Sequence, residues 1–147
     1  MKLKKTEKFV IGCDFGSDSV RVVLLDAADG EAAGTFVSYY PRWKQGLYCN
    51  PRADQFRQHP QDYLDSLTEA VRGAVTQAEQ KYPLCGSRVC GICIDTTGST
   101  PVLADKNGTP LALTKGFEED PDAMFILWKD HTAVAEAAEI NDLCTSW

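Results

Sequence analysis

Apolar and polar residues are arranged in two different ways along the first half of the chain. Residues 9–15 and 19–26 are short runs rich in β-branched and aromatic residues, and a third run follows at 31–41. Polar turns separate the runs, which predicts an antiparallel meander of three strands. Between Pro60 and Lys81 the apolar residues instead recur at helical spacing, which predicts a helix with one buried face. This helix should cover one face of the sheet with a stripe made of Leu64, Leu67, Val71, Ala74, Val75 and Ala78.

The second half of the chain predicts a strand, a hairpin and a long helix. Residues 89–95 form another β-rich run, and after the segment "DTTGST" a further strand is expected to turn at "DKNG", residues 105–108, which is a strong hairpin signal. Asp120 stands directly before Pro121, which is typical of a helix start. We expect that helix to run to about Leu143.

Residues 41–59 have no steady period and contain two prolines and a glycine, so they predict an extended loop. We expect Trp43, Tyr48 and Phe56 to anchor it. The order of elements predicts an α/β fold that differs from a doubly wound nucleotide-binding fold, in which strands and helices alternate from the start. The glycine-rich motifs of P-loop and dinucleotide-binding proteins do not occur in the sequence, so a hairpin turn would have to hold any bound phosphate.

Length and composition narrow the class of protein. The chain has 147 residues, of which 44% are hydrophobic, and this suits one domain with a substantial core. A net charge of −6 would repel a phosphate backbone, so no nucleic-acid partner is expected. The sequence contains no recognisable export signal and no apolar stretch long enough to cross a bilayer. We therefore expect a cytoplasmic protein without a membrane partner.

Six cysteines are present, and in a chain of this size without an export signal we expect reduced thiols. Cys90 and Cys93 have the spacing of zinc and redox sites, yet side chains three positions apart on a strand point to opposite faces. No second pair of this spacing completes a set of four ligands. Small apolar core residues are therefore the expected role for both cysteines.

The turn between the first two strands carries more polar chemistry than a chain reversal needs. Gly16 would let the main chain approach a phosphate, while Ser17 and Ser19 add hydroxyl groups. Arg21 adds positive charge, and Asp14 offers a hard oxygen ligand for Mg²⁺ held through water. A polar hairpin turn without any ligand explains the same residue types as well.

Asp14 favours the phosphate interpretation. It shares one face of its strand with Val10 and Gly12, where a buried carboxylate without a partner would be costly. We therefore expect Asp14 to need a cation and to face an open cleft. A carboxylate turned away from any open cleft, or held by a cation of the protein itself, would overturn the interpretation of this turn as a phosphate and Mg²⁺ site.

Three segments of the chain resemble the FGGY family of carbohydrate kinases, in the superfamily of actin, hexokinase and Hsp70. They are "DFGSDSVR", "GICIDTTGSTPVLADKNGTPL" and "DAMFILWKDHTAVAEAAEIN", and the likeness spans residues 9–147. The branch that phosphorylates L-ribulose is most similar, because "WKDH", residues 128–131, stands where many relatives carry Trp-x-Asp-x-Arg. The resemblance implies a ribonuclease H-like (actin-like ATPase) domain with helices packed on its mixed sheet.

The resemblance also implies an activity and a set of binding residues. L-ribulose, or a similar ketopentose, would be phosphorylated by ATP with Mg²⁺ to L-ribulose 5-phosphate, in L-arabinose catabolism. The phosphates would contact Asp14, Gly16, Ser17, Ser19 and Arg21, with Asp14 reaching Mg²⁺ through water. The sugar would contact Thr97, Gly98, Trp128 and Lys129.

The family's catalytic base and its ATP-binding domain lie further along the chain than residue 147. The resemblance therefore implies that residues 1–147 are part of the N-terminal, sugar-binding domain, with the catalytic base beyond them. We expect no kinase turnover from such a piece alone. Another FGGY kinase, such as one acting on xylulose, and a non-catalytic sugar- or phosphate-binding module stay open, as does a homodimeric full-length enzyme.

The "WKDH" segment has a second interpretation that involves no ligand. On the expected helix, Trp128 would share core spacing with Met124 and Leu127, and an aromatic residue in such a stripe is usually an ordinary core residue. Lys129 and Asp130 would then be a solvated surface pair.

Overall fold

The computed structural model describes residues 8–144. The chain divides into two compact units. The first contains the described residues up to Lys44 together with Gln61–Thr97, and the second contains Gln45–Pro60 together with the described residues from Gly98 onward.

The regular elements are mostly short. In chain order the strands are β1 (Phe9–Phe15), β2 (Ser19–Asp26), β3 (Ala32–Tyr39), β4 (Cys49–Asn50), β5 (Gln55–Gln58), β6 (Val89–Thr96) and β7 (Phe125–Ile126). The α-helices are α1 (Pro41–Lys44), α2 (Pro60–Glu79) and α3 (Val134–Leu143). Single 3₁₀ turns lie at Pro51–Ala53, Cys85–Arg88, Leu111–Leu113 and Pro121–Ala123.

The first unit is a mixed four-stranded sheet with α2 packed on one face. Its strand order is β3-β2-β1-β6, in which β1, β2 and β3 pair antiparallel and β6 pairs parallel to β1. Alternate residues of β1 are buried, as expected for a strand with one face toward a core. The predicted meander, the strand at 89–95 and the mixed sheet are confirmed.

Helix α2 also confirms the prediction from helical spacing, and it lies very close to the sheet. Three of its alanines are fully buried: Ala70, Ala74 and Ala78. A methyl group on Gly34 of β3 would lie 2.2 Å from the Ala74 carbonyl oxygen. The absence of a side chain at Gly34 therefore lets the helix backbone rest directly on the strand.

The first buried residues of α2 are polar, so its buried face does not coincide with the predicted apolar stripe. Asp62 and Ser66 are both almost fully buried. The Asp62 carboxylate accepts a hydrogen bond from the Arg42 backbone N–H at 3.0 Å, and the Ser66 hydroxyl donates to the Tyr39 carbonyl at 3.3 Å. Leu64 was expected in the buried stripe and is half exposed, because these polar residues occupy the buried side.

The second unit contains a small antiparallel sheet of order β4-β5-β7. Two of its strands lie in the region 41–59, so the expectation of a plain loop there was wrong. Asn50 explains part of the difference, because its side chain caps the turn that begins at Pro51 and accepts from the Arg52 N–H at 3.2 Å. The anchoring role is confirmed for Trp43, which packs on the core of the first unit, and for Tyr48, which packs on that of the second.

The expected continuous helix from Asp120 to about Leu143 is wrong. Asp120 does cap a turn at Pro121, where its carboxylate accepts from the Asp122 N–H at 2.9 Å. That turn ends after three residues, strand β7 follows, and α3 begins only at Val134. Met124 is fully buried, but it packs in a small core and not in a helical stripe. Pairing of β7 with β5 and this burial outweigh the local preference for helix.

The hairpin predicted around "DKNG" is confirmed as a turn but not as two strands. The Gly108 N–H donates to the Asp105 carbonyl at 3.0 Å, and the Asp105 carboxylate accepts from the Asn107 and Thr109 N–H groups. Beyond the turn the pairing is reduced to one bridge between Ala104 and Pro110. Past the proline the Leu111 N–H still donates to the Leu103 carbonyl at 2.9 Å, and the 3₁₀ turn at Leu111–Leu113 then ends the pairing.

Candidate functional site

The turn between β1 and β2 is closed by main-chain hydrogen bonds and braced by a buried tyrosine. The Gly16 N–H donates to the Ser19 carbonyl at 2.9 Å, and the Tyr40 hydroxyl donates to the Gly16 carbonyl at 3.2 Å. Tyr40 is fully buried and stacks on Tyr63 with ring centroids 4.7 Å apart. A tyrosine hydroxyl is already protonated at neutral pH, and burial raises the pKa of Tyr40 well above its ordinary value of 10, so the hydroxyl remains a donor in alkaline solution too. The turn is therefore held in one conformation before any ligand arrives.

Asp14 is paired with Arg21, contrary to the expectation that it needs an outside cation. The two residues stand opposite each other in the antiparallel register of β1 and β2, and Arg21 Nη1 lies 3.0 Å from Asp14 Oδ2. Their side chains are 49% and 56% exposed, so Asp14 is not a buried carboxylate either. The antiparallel register brings Arg21 alongside Asp14, which no local pattern in the sequence indicates. Burial of Asp14 therefore provides no support for a phosphate site.

A second carboxylate, Asp95, lies beside this pair and was missed in the sequence. The parallel register of β1 and β6 places Asp95 directly next to Asp14, so that Asp95, Asp14 and Arg21 form one row across three strands. All three line a concavity of about 420 Å³ on the sheet face opposite α2. Asp95 stands at the start of "DTTGST", but pairing between strands this far apart in sequence cannot be read from a local pattern.

The other residues predicted at the turn differ in how exposed they are to a ligand. Ser19 is almost fully buried, and its hydroxyl donates to the Asp18 carboxylate at 2.8 Å. Ser17 is partly exposed. A methyl group on Gly16 would come no closer than 3.4 Å to another atom, so space alone does not require glycine there. Ser17 is thus more accessible to a ligand than Ser19.

The predicted sugar-binding residues fall in both units. Thr97 belongs to the first unit, where its N–H donates to the Phe15 carbonyl at 3.2 Å and so places it at the end of β1, beside the turn. Gly98 opens the second unit, and a methyl group on it would contact nothing within 4 Å. Trp128 is 57% exposed, so its interpretation as a helical core residue is wrong. The Lys129 amine lies 4.4 Å from the centre of the Phe56 ring.

A buried arginine that the sequence analysis did not identify organises the "WKDH" segment. Arg57 is only 5% exposed, and its Nε donates to the Asp130 carboxylate at 2.8 Å. Its other nitrogens donate to the Asp122 carboxylate, at 2.8 Å, and to the Pro121 carbonyl and the Thr132 hydroxyl. The residues that follow Trp128 are therefore tied to strand β5. A buried arginine gives no local signal in a sequence.

Asp130 is the buried centre of this network and not the solvated residue that was expected. Its side chain is 2% exposed and also accepts hydrogen bonds from the Phe56 N–H, at 2.8 Å, and from Thr132. Burial alone would raise the pKa of Asp130. The hydrogen bonds from Arg57, Thr132 and the Phe56 N–H outweigh burial and hold the pKa below its ordinary value of 3.8.

This depressed pKa predicts an acid-dependent loss of stability. A carboxyl group with a lowered pKa in the folded state contributes stability that is fully present above its unfolded pKa and is lost as the pH falls through the folded value. We expect the difference in unfolding free energy between the wild type and Asp130→Asn to narrow steadily below about pH 4. Urea unfolding at several pH values measures this difference. Glu136→Gln, at an exposed position, serves as the control, and an equal narrowing for both variants would contradict the prediction.

No metal-binding cluster is found in the part of the chain that the structure describes. Residues 8–144 contain no group of three or more His, Cys, Asp or Glu side chains that could hold a metal ion.

All six cysteines are free, as expected. Cys90 and Cys93 are both exposed, so the expectation that they are core residues was wrong. They lie on the outer strand of the sheet, where little covers them. Among residues 8–144, no helix is both long enough and apolar enough to cross a membrane.

Comparison with known proteins gives a consistent result. No family model matches the chain. The chain is 51% identical over 140 residues to a ribulokinase of Vibrio parahaemolyticus, a match that covers 95% of this chain and 24% of the relative. It is 34% identical over 144 residues to a ribulokinase of Geobacillus thermodenitrificans, covering 93% and 24%, and 36% identical over 138 residues to ribulokinase 1 of Staphylococcus saprophyticus, covering 92% and 25%. The chain thus spans about a quarter of the length of these curated relatives. It is therefore a homologue of the ribulokinases over the part of those enzymes that it spans.

Proposed function

We propose that the chain forms part of the N-terminal domain of an FGGY carbohydrate kinase that phosphorylates L-ribulose with ATP to L-ribulose 5-phosphate. The observation that carries this proposal is the 51% identity to the Vibrio parahaemolyticus ribulokinase across 95% of the chain. An antiparallel meander joined to a parallel strand, with a helix packed on one face, supports a ribonuclease H-like domain. The catalytic base and the adenine site would lie in the rest of the enzyme.

The row of charged residues beside the first turn is the proposed phosphate and Mg²⁺ end of the site. ATP would supply the transferred phosphoryl group, and Mg²⁺ would neutralise charge on it. Carboxylate oxygens are the ligands that Mg²⁺ prefers, so Asp14, with Asp95 beside it, fits a role in holding the ion through water. The pair of Asp14 and Arg21 is half exposed and contributes only about 0–1 kcal/mol. Arg21 could therefore turn toward a phosphate at little cost.

Main-chain groups and hydroxyls of the turn would complete this end of the site. Gly16 and Ser17 lie where Tyr40 braces the turn, so a phosphate would meet donors that are already in position. Ser19 would act by shaping the turn through its hydrogen bond to Asp18. Because the turn is already ordered, phosphate binding would cost less conformational entropy than binding to a mobile turn.

The proposed sugar end consists of Thr97, Gly98, Trp128 and Lys129. The exposed indole of Trp128 offers an apolar plate for the C–H face of a sugar and an N–H donor for a hydroxyl. Asp130, which follows Lys129 in the chain, is held by Arg57, and this pairing limits the freedom of the segment that carries Trp128 and Lys129. Small residues such as Gly98 leave room for a polyol.

A chimeric enzyme tests the proposal. Residues 1–147 would replace the matching quarter of the Vibrio parahaemolyticus ribulokinase, and ATP consumption would be measured with L-ribulose and with xylulose. We expect turnover with L-ribulose in preference to xylulose. Residues 1–147 alone should show no turnover, because catalysis by positioning also needs the catalytic base and the adenine site. The intact Vibrio enzyme is the positive control. A chimera that has the native molecular mass and melts cooperatively, yet consumes no ATP with either sugar, would favour a non-catalytic binding module instead. A preference for xylulose would indicate a different FGGY kinase.

A further inference from the structure

Trp128 and Lys129 stand at the tip of a tight turn whose two ends are fastened to strand β5. The Asp130 N–H donates to the Leu127 carbonyl at 2.8 Å, so Trp128 and Lys129 are the two central residues of a β-turn. On the entering side, the Leu127 N–H donates to the Phe56 carbonyl at 3.1 Å. On the leaving side, the Phe56 N–H donates to the Asp130 carboxylate at 2.8 Å. One residue of β5 therefore binds the turn at both ends.

Arg57, the next residue of the strand, ties the segments before and after Trp128 together. Its Nε donates to the Asp130 carboxylate at 2.8 Å, and its Nη1 donates to the Asp122 carboxylate at 2.8 Å. Its Nη2 donates to the Thr132 hydroxyl at 3.0 Å. These acceptors lie on both sides of Trp128 in the chain. Lysine would keep the charge but could not bind all three acceptors, because only arginine presents several N–H groups in a rigid planar fork.

The Asp130 carboxylate depends on this arginine for its place at the end of the turn. The side chains of Asp130 and Arg57 are both almost fully buried. A buried carboxylate that loses its cation is costly, and the cost falls if the carboxylate moves toward water. Because Asp130 closes the turn, such a movement would carry Trp128 with it.

We propose that Arg57 is a positioning residue for sugar binding, because through Asp130 it fixes the turn that carries Trp128. The inference rests on the proposed function, in which Trp128 contacts the sugar. An aromatic plate that is already held in place costs less conformational entropy on binding than one that must first be ordered. All of the contacts that hold the turn are internal to the second unit, and none of them requires an open surface of the chain.

Steady-state kinetics of the chimeric kinase test the role of Arg57. In the Arg57→Lys chimera, we expect the KM for L-ribulose to rise about tenfold, because the sugar must then order the turn as it binds. The KM for ATP and kcat should each change by less than about twofold, since the lost effect is on sugar binding alone. Arg52→Lys replaces an exposed arginine of the turn before β5, and this control should leave all three values unchanged.

The split between KM and kcat distinguishes positioning from a structural role. A merely structural arginine would, when replaced, reduce the fraction of folded enzyme, which lowers the apparent kcat and leaves both KM values as they were. That result would overturn the proposal, as would an Arg57→Lys chimera whose KM for L-ribulose equals that of the parent chimera.

A double-mutant cycle tests whether Arg57 acts through Trp128. In a chimera that already carries Trp128→Ala, Arg57→Lys should raise the KM for L-ribulose by less than about twofold, because the plate that it positions is gone. An equal rise in the two backgrounds would overturn the proposal. A parent chimera that is inactive with both sugars would contradict the proposed function and this inference together, whereas an active parent with additive effects would overturn only the role of Arg57.

A second variant keeps the test decisive if Arg57→Lys prevents folding. Asp130→Asn retains a side-chain oxygen to accept from the Phe56 N–H but removes the charge that Arg57 pairs with. We expect it to raise the KM for L-ribulose about threefold, and to have no effect on this KM in the Trp128→Ala background. An unchanged KM for L-ribulose in a folded Asp130→Asn chimera would overturn the proposal.

Discussion

Replacing Arg57 with methionine should lower the free energy of unfolding by about 3–5 kcal/mol. Arg57 is 5% exposed, and its loss would leave the 2% exposed carboxylate of Asp130 without its cation. Methionine retains most of the apolar stem, so the effect should come from the uncompensated charge. Urea unfolding measures the change when it is followed by the fluorescence of Trp128 in a background with Trp43 and Trp147 replaced by phenylalanine.

Two further variants separate the charge from other causes. Arg52→Met removes an exposed arginine near the same strand and should change the stability by less than about 0.5 kcal/mol. The double variant Arg57→Met with Asp130→Leu removes both charges and should recover part of the loss. If Arg57→Met were as mild as Arg52→Met, the network would not stabilise the second unit as described.

Replacing Asp14 with asparagine in the chimeric kinase should reduce kcat by at least about 100-fold. This expectation rests on the proposed function, in which the Asp14 carboxylate holds Mg²⁺ through water. Because Asp14 is half exposed and its pair with Arg21 is weak, the melting temperature should change little. Asp29→Asn, in an exposed turn after β2, should leave kcat unchanged. Nearly full activity of Asp14→Asn would remove Asp14 from the site, while turnover of the unmodified chimera would still support the kinase assignment.

A comparable loss of kcat in a chimera that carries Asp95→Asn would extend the proposed site beyond the first turn. The sequence-based argument for Asp14 as a ligand rested on a wrong physical reason, because it assumed a buried carboxylate without a partner, and the ligand role of Asp14 stays a prediction. The cross-strand neighbours Arg21 and Asp95 show that the position belongs to a charged row. Agreement between the family resemblance and the curated relatives, and not the burial of one carboxylate, supports the kinase assignment.

Local sequence signals determined those elements whose stability comes from their own pattern. The bounds of β1 and β2 match the predicted runs, because alternating apolar residues between polar turns leave one register that buries them. Helix α2 starts at the predicted Pro60, since its long stripe and the fixed φ of proline act in the same direction. The family resemblance could also be detected in the sequence, because each of its three segments is a continuous stretch of residues.

Only the tertiary structure decided the features that depend on residues far apart in the chain. The segment after Asp120 has a helical pattern, yet pairing of β7 with β5 and the burial of Asp130 against Arg57 hold residues 125–132 in another conformation. The partner of Asp14 depended in the same way on the register of two strands. Local preferences amount to a few tenths of a kcal/mol per residue, whereas a helix through residues 125–132 would separate Asp130 from Arg57 and leave a buried charge uncompensated, at a cost of about 3–5 kcal/mol. Contacts between distant residues therefore prevail where the two conflict.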